Sequence, residues 1–191
     1  MKRVPIVPTL IVLVAVGYMI HLGFWQLDRL KQKEAMLALY ATAQGNPAAR
    51  RWPEGDIVPL SFSRVVTRCT EVGNLSAKSG RNAAGEPGWA HIADCRTASG
   101  AHARVVLGWS SAPAPVSWSG GEVAGVFLSQ PGEKVDIIAD PPLAGLAANA
   151  RPDPAQIPNN HLAYAVQWFL FAGVALVIYA LALRKRLRAG A

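Results

Sequence analysis

The chain has 191 residues, 51% of them apolar and 16% charged, and a net charge of +7. Six of its 19 basic residues sit at the ends with no acidic neighbour: Lys2 and Arg3, then Arg184, Lys185, Arg186 and Arg188. The other 13 face all 12 acidic residues between positions 4 and 183, a net of +1, so the basic balance marks topology and not a nucleic-acid surface.

Residues 4–27 carry no formal charge. A bilayer core takes about 20 apolar residues as helix, so this run predicts a first membrane span. Pro5 and Pro8 fall in its first turns, where a missing N–H does little harm. The apolar run is longer than the h-region of a signal peptide, and the small-residue triplet Ala41-Thr42-Ala43 lies too far beyond it for an ordinary cleavage site. An uncleaved anchor is expected, and with no presequence ahead of it, a bacterial membrane. Helical periodicity continues through Leu27, Leu30, Leu37 and Tyr40 among Arg29, Lys31, Lys33 and Glu34. Residues 28–44 therefore read as a charged helical extension, broken at Gln44-Gly45-Asn46-Pro47.

Residues 45–61, with Pro47, Pro53 and Pro59, read as a connecting loop. From Phe62 the texture changes to short β-branched runs, and strands are predicted over 62–72, 89–97, 102–110, 121–129 and 134–139. Turn-formers separate them at Gly73-Asn74, Ser79-Gly80, 85–88, Ser99-Gly100, 113–115 and Pro131-Gly132. Residues 62–140 are thus expected to form an antiparallel β-rich domain, a sandwich or an open barrel. Residues 141–160, rich in proline, make a second irregular connection, and Pro158-Asn159-Asn160 reads as a helix start with an asparagine cap. A second span follows over 161–183, within a charge-free run from Pro154 to Leu183, and residues 184–191 form a basic tail. The fold class is an α+β membrane protein: a two-helix transmembrane hairpin with a β-rich extracytoplasmic domain. The positive-inside rule places both termini in the cytoplasm and the central domain in the periplasm.

The two cysteines, Cys69 and Cys95, both fall in the outer region, where an oxidising compartment favours a disulfide. Closing a loop of about 27 residues would stabilise by roughly 3.5 kcal/mol on the chain-entropy model. The alternative is a copper site shared with His91. No C-x-x-C, no G-x-S-x-G and no glycine-rich phosphate loop occurs, so an enzyme is not expected.

Four histidines remain as ligand candidates: His21, His91, His102 and His161. On antiparallel spans His21 and His161 share a leaflet at similar depth, and a neutral imidazole is a competent axial ligand for haem iron. The alternative is that His21 bonds a carbonyl and His161 sits in the wet interface. His161, Tyr164, Ala165 and Trp168 follow at i, i+3, i+4 and i+7 and share one helix face. Trp25, Tyr164 and Trp168 suit an aromatic belt or the wall of a macrocycle, and Arg29 can stack on Trp25 or meet an anionic group.

Residues 22–31, Leu-Gly-Phe-Trp-Gln-Leu-Asp-Arg-Leu-Lys, resemble the end of the first span in the Surfeit locus protein 1 family. Residues 158–169, Pro-Asn-Asn-His-Leu-Ala-Tyr-Ala-Val-Gln-Trp-Phe, resemble the start of that family's second span, and order and topology match as well. The resemblance implies a membrane assembly factor for cytochrome c oxidase that acts where haem a reaches the catalytic subunit. It carries transient haem a binding onto His161, with Tyr164 and Trp168 against the macrocycle and Arg29 near the propionates. His21 is kept as a further candidate, and Gly23, Trp25, Gln26 and Arg29 match the first motif. The implied partners are the catalytic subunit, the haem a synthesis machinery and the bilayer, with no nucleic acid. A rival reading from another class is a scaffold that steadies the nascent subunit without a cofactor. One departure lies in residues 105–113: Gly108-Trp109 is kept, but Leu107 stands where a typical member has a basic residue.

Overall fold

The computed structural model describes residues 4–53, 60–129 and 135–188. The predicted turn at Pro131-Gly132, the start of the last strand at Lys134, Pro59, and residues 189–191 of the tail lie outside the described residues. The chain divides into two compact units, Met1–Met36 with Pro158–Ala191, and Leu37–Ile157.

The first unit is a helix pair. Helix α1 (Ile6–Gly45), 40 residues long, takes in both the predicted span and its charged extension; its part up to Met36 belongs to this unit together with α2 (His161–Arg188). Both are long and apolar enough to cross a membrane, with mean hydropathy of 2.1 and 2.2 over their most apolar windows. Most of their large apolar side chains point outward, as Leu10, Leu13, Phe171 and Val177 do, which points to a membrane protein.

The faces the helices turn toward each other carry their small and polar residues among a few larger apolar ones. On α1 the buried and half-buried positions recur at Thr9, Val12, Val16, Met19, Gly23, Gln26 and Leu30. On α2 they recur at His161, Ala165, Trp168, Ala172, Ala175 and Tyr179. Alternating steps of three and four make a seam of 3.5-residue period, the pattern of closely paired helices. Thr9 hydrogen-bonds Tyr179, Gly23 lies under Phe169, and Gln26 meets His161, so the partners run in opposite chain directions. A Cβ on Gly23 would come within 2.5 Å of the Phe169 ring, so glycine is what lets the ring in.

The expected cap of α2 is not there. Asn160 supplies its carbonyl to Tyr164 N–H at 3.2 Å, while Asn159 Oδ1 is buried without a partner among the described residues. The chain enters the helix from the short 3-10 turn Pro154–Gln156, and it is this turn that is side-chain capped, by Asp153.

The second unit is built on six strands: β1 (Arg50–Arg51), β2 (Arg64–Arg81), β3 (Pro87–Thr97), β4 (His102–Ser110), β5 (Gly121–Leu128) and β6 (Asp136–Ala139). The sheet is mixed, which corrects the antiparallel expectation: β1 runs parallel to β2, and β4 parallel to β6. Strand β2 pairs with β5 through its first residues and with β3 through the rest, so the order β2-β3-β4-β6-β5 returns to β2 as a ring. A five-stranded ring resembles the OB-type barrel in strand number and closure. Inward positions alternate along each strand, from Val65 and Cys69 on β2 to Val123 and Phe127 on β5 and Ile137 on β6.

Two predicted turns prove to be strand interior. Gly73-Asn74 and Ser79-Gly80 belong to β2, and the first pair falls at an irregularity between Val72 and Leu75. Glycine there fits a β-bulge within the β2–β3 pairing, while β2 changes partner from β5 to β3 at Cys69. The real turn is Asn82–Glu86, where the Asn82 side chain accepts from the N–H groups of Ala84 and Glu86. Strand β1 lies in the stretch predicted as loop, since two residues are too short to display a period.

The candidate site at the His161 end of the helix pair

The two helices bring one pair of candidate residues into contact. His161 Nδ1 lies 2.7 Å from Gln26 Oε1, in a part-buried hydrogen bond that closes the seam at one end as Thr9 and Tyr179 close it at the other. Among the described residues, His161 Nε2 has no hydrogen-bond partner. Gln26 was legible in the first motif, but nothing in the sequence said that it would face His161.

Trp168 lies two turns deeper on the same stripe as His161 and meets Phe171 edge-on at 6.2 Å. Tyr164 sits about 60° round α2 from His161 and is half exposed. Arg29 stacks over Trp25 at 5.9 Å and donates from Nη1 to Gln32 Oε1 at 2.9 Å. Trp25 and Arg29 stand about 100° and 60° from Gln26 in the same rotational sense as Tyr164 from His161. On helices of opposite direction these offsets turn to one flank, so Trp25, Arg29 and Tyr164 lie on the same side of the helix pair. His21 is not brought there: it is exposed, about 140° round α1 from Gln26. Phe169, which the motif includes but chemistry did not single out, fills the space over Gly23 and meets Phe24 edge-on at 5.4 Å.

In the barrel, Cys69 and Cys95 form a disulfide across neighbouring strands, with Cα atoms 5.5 Å apart. Their sulfurs are joined to each other, so neither is a thiolate ligand. His91 is buried, with Nε2 2.7 Å from Ser110 Oγ; that hydroxyl donates its one proton to Ala112 O, so the imidazole is the donor. Among the described residues no three His, Cys, Asp or Glu side chains gather to hold a metal ion. The copper alternative therefore loses its ligand set. Leu107, the departure from the typical pattern, is wholly buried in the barrel core, so it alters packing and not an outer surface. The neighbouring Gly108-Trp109 grips the returning chain: Trp109 and Ala147 exchange backbone hydrogen bonds of 2.7 and 3.0 Å, and a Cβ on Gly108 would strike Leu146.

Residues 13–173 match the sequence model of the SURF1 family, a span that takes in both membrane-flanking motifs and the barrel between them. The chain belongs to the SURF1 family. No curated protein and no solved structure matches it. Membership is consistent with a role in cytochrome oxidase assembly. Within the SURF1 match, the polar contact between the two motifs is the one point where both helices offer chemistry and not only packing.

Proposed function

We propose that this protein is a non-enzymatic assembly factor that holds haem a at the His161 end of its helix pair and passes it to the catalytic subunit of cytochrome c oxidase. It works in the cytoplasmic membrane of a bacterium, with both termini inside and the barrel in the periplasm, as the terminal clusters of basic residues favour. The observation that carries the reading is the imidazole of His161: Nδ1 is engaged by Gln26, and Nε2 has no hydrogen-bond partner among the described residues. The residues present suit the cargo. A neutral imidazole is an axial donor for haem iron, Trp25 and Tyr164 offer apolar edges on one flank, and Arg29 brings a positive charge for a propionate. Bound haem a would supply an iron centre that takes the imidazole as an exchangeable ligand. The protein's own part is to hold the ring still, keep one face apolar and leave the flank open to the bilayer for handover.

The test is the absorption spectrum of the protein purified from cells that make haem a. A Soret band is expected from the natural protein, with loss of most of it in His161→Ala. An unchanged band in that variant would sink the ligand assignment, and colourless natural protein that still co-purifies with the oxidase would favour the scaffold.

A further inference from the structure

The contact between Gln26 and His161 fixes more than a distance. A carboxamide oxygen has lone pairs and no proton, so at 2.7 Å the proton of the bond must sit on Nδ1 of the imidazole. A neutral imidazole has one ring proton, and Nε2 is then left with the lone pair. We propose that Gln26 is a positioning residue that locks His161 in the Nδ1–H tautomer and so selects Nε2 as the atom offered to a metal. The value of that selection rests on the reading of His161 as a haem ligand; the tautomer itself does not.

Three features of the pair make Gln26 suited to the task. It lies on the seam itself, in step with Gly23 and Leu30, so its side chain is directed at α2 and not at lipid. Gly23, one turn earlier, lets the Phe169 ring close over α1, which brings the helices near enough for the amide to reach. The far end of the seam is pinned by Thr9 and Tyr179, which resists the sliding that would carry His161 out of register. The side chain whose proton is being placed comes from one helix and the group that places it from the other. Helix pairing and ligand preparation are therefore one event: an unpaired α2 would carry a histidine of unspecified tautomer.

The test separates tautomer from ligation. Protein labelled with 15N-histidine is prepared in lipid nanodiscs from cells unable to make haem a, and the His161 ring signals are identified by their loss in His161→Asn. A protonated Nδ1 and an unprotonated Nε2 are expected in the natural protein, and Nδ1 should stay protonated in Gln26→Glu, which keeps an acceptor. Gln26→Leu, of similar size but unable to accept, should mix the tautomers. A protonated Nε2 in the natural protein, or no change in Gln26→Leu, would overturn the proposal. Haem a titrated into the same samples reads the consequence: Gln26→Leu should bind about 10–100-fold more weakly, the usual cost of removing a partner that orients a metal ligand, with Gln26→Glu close to normal. Tautomers that respond to Gln26 while affinity in Gln26→Leu stays unchanged would overturn the positioning role. Failure of the ligand reading itself would be seen separately, as undiminished binding in His161→Ala.

Discussion

Phe62 adopts a left-handed backbone, with φ of 72°, which an L-residue with a bulky side chain rarely does. What holds it there is visible: its N–H donates to Phe127 O at 2.7 Å, and its buried ring meets Tyr40 at 5.1 Å. Phe62→Ala should cost about 3–5 kcal/mol, because the cavity opens while the strained backbone remains. Phe62→Gly should be about 1 kcal/mol better than the alanine variant, since glycine takes positive φ freely. Denaturant unfolding of the two variants would check the order, which reverses the usual advantage of alanine. Gly23 obeys the opposite constraint, needing absence of a side chain and not a special φ. Gly23→Ala should destabilise the helix pair by about 1–3 kcal/mol through overpacking on Phe169. Phe169→Ala in the same chain should recover part of that loss, a coupling that a double-mutant cycle in mixed micelles would read.

At the scale of elements, the helices were the most legible part of the sequence, because long charge-free runs have few alternatives. Their rotation was not, because the aromatic residues that drew attention do not mark the face where the helices meet. Val16, Gly23 and Leu30 on α1, and Ala165, Ala172 and Tyr179 on α2, recur every seven residues, and that period marks the seam. His21 lay off it, which its chemistry could not reveal. The strands were legible where β-branched residues alternate, as in β4 and β5, and misread where glycine stood for a bulge in β2. Parallel pairing of β4 with β6 was not legible, since no local pattern records which distant strand becomes a neighbour. Its one clue is chemical: Arg104 and Asp136, directly opposite, form a two-pronged ion pair with N–O distances of 2.6 and 2.8 Å.

For the whole molecule, the disulfide and the candidate site belong to different units, and each should answer to its own perturbation. Replacing Cys69 and Cys95 with serine should lower the stability of the barrel by about 3.5 kcal/mol, from a sequence separation of 26 residues, while the pigment expected at His161 keeps its spectrum. Thermal unfolding followed by far-ultraviolet dichroism, with the absorption band recorded alongside, would separate the two effects. The ring of strands also sets an order of events. Strands β2 and β3 are joined by a short turn and can pair as soon as both have emerged, with the cysteines facing each other on them. Closure must wait, because Arg64 on β2 finds its partner Val126 only when β5 arrives, and β6 comes later still to sit between β5 and β4. Contacts so distant in sequence are slow to form. In a chain made from its N-terminal end, a stapled hairpin would stand with its inner edge unsatisfied until the last strand emerges. That interval is when this domain is most open to capture by chaperones, to cleavage and to aggregation.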